Sequence, residues 1–326
     1  MIPRWWIRES RLREIHMELQ QKAEGLSAGG EARKLLRKRA GIYLSTVFGC
    51  VFVGWILAIV LPGESGGAVY SLLISLFSFI PVLAVFLARI LTKDSSPWLL
   101  RLKFRGNWKT YLSAAFVPSL LMALGAVLYF FLFPGQLDLS AERLVATYGR
   151  FGVPADLPHT LAALIRVGII GILISPFAIP IVLFALGEEI GWRGYLLPVF
   201  LQLMDTRKAI VLTSILWGLG HAPLIYLGFN YGLDYPGAPF TGMVMMVIVC
   251  LVLGIWLSQV TITSRSVIPA AILHGALNLV GEWPALVAFV GFNPLLGPNP
   301  TGIIGLSGLA IGAVFILLRM RKRTEV

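Results

Sequence analysis

The chain has 326 residues, of which 57% are hydrophobic and 13% are charged, and its mean hydropathy is +0.82. A water-soluble domain of this length cannot hide so much apolar surface in its interior, so the composition excludes a soluble protein and predicts an integral membrane protein. The formal charge of +11 does not indicate a nucleic-acid partner, because the basic residues follow the distribution that membrane topology requires.

The first 40 residues form a basic arm before any apolar segment. Tryptophan, isoleucine and leucine interleave there with arginine and lysine, as in a helix that lies on an anionic membrane surface. A solvated arm that only fixes topology fits the same pattern. No short apolar region with a small-residue cleavage site precedes the first span, so we expect no cleavable signal peptide.

Eight apolar windows follow, each near the length needed to cross about 30 Å of hydrocarbon. They predict an all-α fold, a polytopic transmembrane helix bundle of about eight spans. With the N-terminus in the cytoplasm, only Arg143, Arg150 and Arg166 of the 27 Lys and Arg residues fall on or toward the outer side. We therefore expect both termini in the cytoplasm and a bacterial plasma membrane as the location. The windows are 41–62, 68–91, 111–134, 161–187, 209–231, 242–262, 267–289 and 302–318.

Three short polar patterns lie inside or beside these windows, where ionisable groups are costly to keep and are usually functional. On the predicted topology all three lie toward the cytoplasmic half of the membrane, so their side chains are expected to converge on one site. The patterns are Glu188-Glu189-Ile190-Gly191-Trp192-Arg193, Trp217-x-x-x-His221 and His274-x-x-x-Asn278.

Helical spacing gives the two adjacent carboxylates different roles. Glu189 and Arg193 are four residues apart, which places them on one helix face and predicts an ion pair. Glu188 lies about 100° further round the helix and stays free of that pair. One carboxylate is therefore expected to be tethered, and the other to be available for chemistry.

In this combination and order, the motifs resemble the CPBP family of intramembrane endopeptidases, which comprises the CAAX-processing proteases and bacteriocin-linked relatives. The resemblance covers about residues 161–290 and implies a catalytic core there. An N-terminal transmembrane region (41–160) would precede this core, and a last transmembrane helix with a basic cytoplasmic tail (291–326) would follow it.

The resemblance also implies the roles of individual residues. Glu188 and His221 would activate a water molecule, and His274 and Asn278 would stabilise the oxyanion. The physical chemistry of peptide hydrolysis agrees, because it needs a base for water and donors aimed at the developing charge. Trp217 stands where the family usually has Phe, a change of aromatic bulk that we expect to leave the chemistry untouched.

A zinc site is an alternative use of the same residues. Glu188, His221 and His274 would make a His₂Glu set, with Glu189 as the base. Against this, Asn278 is a poor zinc ligand, and Glu189 is better placed for an ion pair than for a metal-bound water. We therefore expect no cofactor, and we keep zinc as the alternative.

Two other classes of function stay open. Buried carboxylates and imidazoles also build the relays of proton- or metal-coupled transporters, although the chain shows no inverted repeat. A catalytically idle immunity protein of the bacteriocin branch is the other class, and the intact motifs count against it. For an endopeptidase, the expected partners are the lipid bilayer and a membrane-associated peptide or protein, either CAAX-like or a leader peptide.

Overall fold

The computed structural model of the protein describes residues 29–60, 75–100, 102, 104–149 and 152–320. Over these ranges the chain is helical without a β-strand, which confirms the all-α class. Most of the predicted basic arm, the loop 63–67 and the tail from residue 321 lie outside them. In chain order the helices are α1 (Gly29–Val60), α2 (Ile80–Thr92), α3 (Trp108–Leu132), α4 (Glu142–Tyr148), α5 (Leu161–Ile174), α6 (Ile179–Gly191), α7 (Leu197–Leu203), α8 (Thr206–Gly220), α9 (Ala222–Tyr226), α10 (Phe240–Ser264), α11 (Ile268–Val280), α12 (Trp283–Leu286) and α13 (Ser307–Arg319).

Every predicted window overlaps one of these helices or a bent pair of them. Among the described residues, five helical segments are long and apolar enough to cross a membrane, namely Gly30–Leu57, Ser75–Thr92, Trp108–Leu132, Thr206–Tyr226 and Phe240–Ser264. The pair Leu161–Phe177 and Ile179–Leu203, bent by 58°, makes a sixth if it counts as one span. The last two windows hold α11 and α13, whose 13 residues rise only about 20 Å each.

The outer surface of the bundle is apolar, as a lipid-facing surface must be. On α3, Leu124, Val127 and Phe131 are 60%, 64% and 79% exposed. Large apolar side chains are exposed along α1, α2, α5 and α10 as well. Contiguous apolar surface of this extent is not found on soluble monomers, so the protein is an integral membrane protein.

Local sequence explains where the helices around the motifs begin and bend. The Asp205 side chain accepts a hydrogen bond from the Lys208 backbone N–H at 3.1 Å and caps the start of α8. Pro176 and Pro180 flank the break between α5 and α6. Because proline lacks a backbone donor and clashes with the preceding turn, the chain bends there.

The helices that carry the motifs pack closely in the centre of the bundle. α8 packs along α10, and α11 packs along α6. Gly254 on α10 permits a very close approach, because a Cβ at this position would collide with Ser214 Oγ and come within 3.1 Å of Arg193 Nη2. The backbone of α10 therefore forms part of the wall around the buried guanidinium.

Candidate active site

Glu189 and Arg193 form a completely buried ion pair. Arg193 Nη1 donates to Glu189 Oε1 at 3.1 Å, and both side chains are 0% exposed. The same carboxylate oxygen accepts a hydrogen bond from His274 Nδ1 at 2.9 Å. Glu189 thus links α6 to α11 and fixes the orientation of the His274 ring, a contact that the sequence did not predict.

Arg193 lies in a local irregularity of its helix. Residues Trp192–Leu196 form a π-helical turn between α6 and α7, in which the Leu197 backbone N–H donates to Trp192 O. Turns of this kind are rare and occur often at functional sites. The wide turn begins three residues after Glu189, and Arg193 is its second residue.

Glu188 is half-buried and does not take part in the ion pair. Its Oε2 accepts a hydrogen bond of 2.7 Å from Trp217 Nε1. The Trp217 ring also packs edge-on against His221 and His274, with ring centroids 5.6 and 5.4 Å away. The Arg193 guanidinium carbon lies 4.3 Å from the centroid of the same indole ring. Trp217 therefore contacts residues of all three motifs.

His221 lies directly after the last residue of α8. Its Nδ1 is 2.9 Å from the backbone oxygen of Trp217. Since a carbonyl oxygen only accepts, Nδ1 must carry a proton, and Nε2 of the neutral ring keeps its lone pair. The side chain is thereby oriented with a basic nitrogen available for a water molecule or a substrate.

His274 and Asn278 lie one turn apart on α11. Because His274 Nδ1 donates to Glu189, its Nε2 is the ring atom left to act on a substrate. Asn278 is exposed and lines the cavity described next. Its amide offers an uncharged donor beside that ring.

The two carboxylates are thus separated as the helical period predicts, and Glu188, the one outside the ion pair, lines a cavity. A cavity of about 610 Å³ is lined by Glu188, His221, His274 and Asn278, together with Trp217. Much of the remaining lining is apolar, including side chains from α6, α9, α10 and α11. This volume is in the range of ligand sites and accommodates a short peptide segment.

The zinc alternative finds no support in the positions of these side chains. Across the described ranges, no three His, Cys, Asp or Glu side chains lie close enough together to hold a metal ion. One oxygen of Glu188 and Nδ1 of His274 are already engaged in other hydrogen bonds. The metal-free site stays a prediction.

The part of the chain that carries the three motifs is similar to known proteins. Residues 168–280 match a family described as Rce1-like, type II CAAX prenyl endopeptidase. This match supports the membership of these residues in the CPBP family. Among curated proteins, the CAAX prenyl protease 2 of Methanococcus maripaludis is 30% identical over 112 residues, which are 34% of this chain and 41% of that relative. The match thus spans less than half of the relative's length.

All three motifs fall inside the CPBP segment, residues 168–280, and the structure corrects one expectation about them. The sequence indicated that Trp217, in place of the usual Phe, changes only bulk. The difference is not one of bulk alone, because the indole N–H of Trp217 donates to Glu188, a contact that Phe cannot make. Its effect on the chemistry stays a prediction. A buried indole N–H usually finds a hydrogen-bond partner, and this rule was the signal that could have predicted the contact.

Proposed function

We propose that the protein is an intramembrane endopeptidase that hydrolyses peptide bonds of membrane-associated substrates. The observation that carries the proposal is the convergence of Glu188, His221, His274 and Asn278 on one cavity within the bundle. A base, an oriented imidazole and two donors around one cavity are the groups that peptide hydrolysis requires. The CPBP segment contains all four, which supports the same chemistry.

In the proposed reaction, Glu188 and His221 act on a water molecule. Trp217 holds Oε2 of Glu188, so that Oε1 accepts a proton from the water. The oxygen of the water forms a bond to the carbonyl carbon of the substrate. The proton then passes to the amine nitrogen as the peptide bond breaks, with Nε2 of His221 in position to orient the water or to transfer the proton.

The oxyanion that forms during this attack is stabilised by His274 and Asn278. The Asn278 amide donates without any change of charge. For His274 to donate from Nε2 while Nδ1 donates to Glu189, the ring must be doubly protonated, and Glu189 provides the counter-charge. The buried ion pair is therefore positioned to support the oxyanion site through His274.

The location of the site and the name of the relative support a proposal for the substrate class. A cavity within a membrane bundle receives peptides that are themselves anchored in or near the bilayer. The archaeal relative is named a CAAX prenyl protease, and we propose CAAX-like or leader peptides as the substrates here. The comparisons favour neither a transporter nor an idle immunity protein.

The proposal is tested with purified protein in liposomes and a fluorogenic, lipid-anchored peptide library. Glu188→Gln keeps the shape of the side chain and removes its basicity, so its turnover should fall by about 10²- to 10⁴-fold. Glu142→Gln, at an exposed carboxylate on α4 away from the cavity, is the matched control and should retain the wild-type rate. No hydrolysis by the wild type, or full activity of Glu188→Gln, would refute the assignment.

A further inference from the structure

A second carboxylate lines the cavity and has no role in the proposed hydrolysis. Glu282 lies two residues after the end of α11 and contributes to the same cavity wall as Asn278. It follows the CPBP segment, which ends at residue 280. It also lies beyond the three motifs, so neither the comparison nor the motifs assign it a function.

The structure holds this carboxylate in a defined orientation. Asn299 Nδ2 donates to Glu282 Oε2 at 2.9 Å. The other amide atom of Asn299, Oδ1, accepts a 2.9 Å hydrogen bond from the Ala285 backbone N–H. Asn299 is only 5% exposed, and both ends of its amide are fixed. Asn299 therefore holds Glu282 through Oε2, and Oε1 is left for another partner.

No positive charge of the described chain neutralises Glu282. The part of the cavity lining that the structure describes contains two carboxylates, Glu188 and Glu282, but neither lysine nor arginine. Arg143 reaches this segment, yet its Nη1 donates to the backbone oxygens of Ala285 and Ala288. Glu282 is exposed to the cavity and, together with Glu188, makes its lining negative, which favours an occupant that brings the counter-charge.

The backbone after α11 places Glu282 close to the reacting atoms. His274, Asn278 and Glu282 follow one another at four-residue intervals, and Gly281 and Glu282 keep helical backbone angles beyond the end of α11, so each interval corresponds to a rise of about 6 Å. An extended peptide advances about 3.3 Å per residue. A group about 6 Å beyond Asn278 therefore meets the substrate about two residues from the scissile carbonyl.

We propose that Glu282 is a specificity residue that binds an ammonium or guanidinium group of the substrate, within about three residues of the scissile bond. The inference rests on the proposed function and names a property of its substrates. The cation comes either from a lysine or arginine side chain or from the amino terminus of the peptide. Both sources present the same charged donor, and the peptides below distinguish them.

A purely structural role for Glu282 is separable from cation binding. Glu282→Gln keeps an oxygen that accepts from Asn299 Nδ2 and removes only the charge. If Glu282 merely anchors Asn299, this variant should have the same ratio of kcat/KM between charged and neutral peptides as the wild type. If Glu282 binds a cation, the variant should lose its discrimination between them.

The first experiment measures kcat/KM for matched pairs of lipid-anchored peptides. In each pair one position near the scissile bond is lysine or its neutral isostere norleucine, and each peptide is made with a free and an acetylated amino terminus. The wild type should prefer the cationic member at one position, or the free amino terminus, by about 10- to 100-fold, the range of a hydrogen bond between charged groups. In Glu282→Gln this ratio should fall to about 1, whereas Glu142→Gln should keep it.

The second experiment measures affinity and does not depend on turnover. Fluorescent versions of the same peptides are titrated into Glu188→Gln protein with and without Glu282→Gln. The cationic peptide should bind about 10-fold or more tightly than its neutral partner, and only while Glu282 is present. Equal affinities for both peptides, or a preference that survives Glu282→Gln, would overturn the inference. Absence of hydrolysis alone would count against the proposed function, and the affinities would still decide the role of Glu282.

Discussion

The buried ion pair between Glu189 and Arg193 gives the sharpest prediction of stability. Glu189→Gln preserves the shape of the side chain but leaves the Arg193 guanidinium without an anion at a site where both groups are 0% exposed. The same substitution removes the charged partner of His274. Because no solvent reaches the pair, the loss is not reduced by screening.

The expected magnitude follows from the cost of an unpaired buried charge. Removing one partner of such a pair destabilises proteins by about 3–5 kcal/mol. At about 2–4 °C per kcal/mol, the value for domains of 150–250 residues, the melting temperature of Glu189→Gln should fall by about 6–20 °C. Arg193→Met should cost less, because Glu189 keeps its hydrogen bond with His274.

The assay is thermal unfolding of the purified variants in one detergent at one scan rate, together with the double variant Glu189→Gln/Arg193→Met. The double variant removes both charges, so it should melt above Glu189→Gln. A melting temperature of Glu189→Gln within about 2 °C of the wild type would refute the argument, since a shift that small corresponds to about 1 kcal/mol or less. A double variant that melts below Glu189→Gln would refute it as well.

Three further predictions concern the site and the topology. Trp217→Phe should lower kcat by about 10-fold or more with little change in KM, because Glu188 loses the donor that fixes Oε2; an unchanged kcat would show that this hydrogen bond is not used. Protein stripped with a strong chelator and shown metal-free by elemental analysis should keep its proteolytic rate. Stoichiometric zinc whose removal stops cleavage and whose return restores it would overturn the metal-free mechanism. Reporter fusions after Val326 and within residues 63–67 should report cytoplasm and exterior respectively, because basic residues are segregated on that topology; a C-terminus found outside would reverse the predicted orientation.

Composition and hydropathy predicted the fold class but not the lengths of all helices. The 25-residue helices α3 and α10 lie where uninterrupted apolar windows placed them. The window 161–187 contains a bend, because Pro176 and Pro180 interrupt the backbone hydrogen bonds within it. Hydropathy averages over such interruptions. It also does not separate the 13-residue α11, which is largely buried in the bundle, from a helix that crosses the bilayer alone.

The grouping of the site residues was more predictable than the contacts between them. The four-residue spacing predicted that Glu189 would meet Arg193, since both lie on one helix. The hydrogen bonds from Trp217 to Glu188 and from His274 to Glu189 each join two helices. Such contacts depend on helix rotation and tilt, which the sequence periodicity of a single helix does not determine.

The wide turn at Trp192–Leu196 determines how far α7 is rotated around the helix axis relative to α6. In this turn the Leu197 backbone N–H donates five residues back instead of four. If the same residues formed an ordinary α-turn instead, α7 would rotate by about 100° around the helix axis relative to Glu188. Val199 and Phe200, now buried, would face a different direction. The extra residue of this turn therefore sets which side chains of α7 face the bundle: a single-residue deletion here would close an ordinary α-turn and leave α7 in its present orientation.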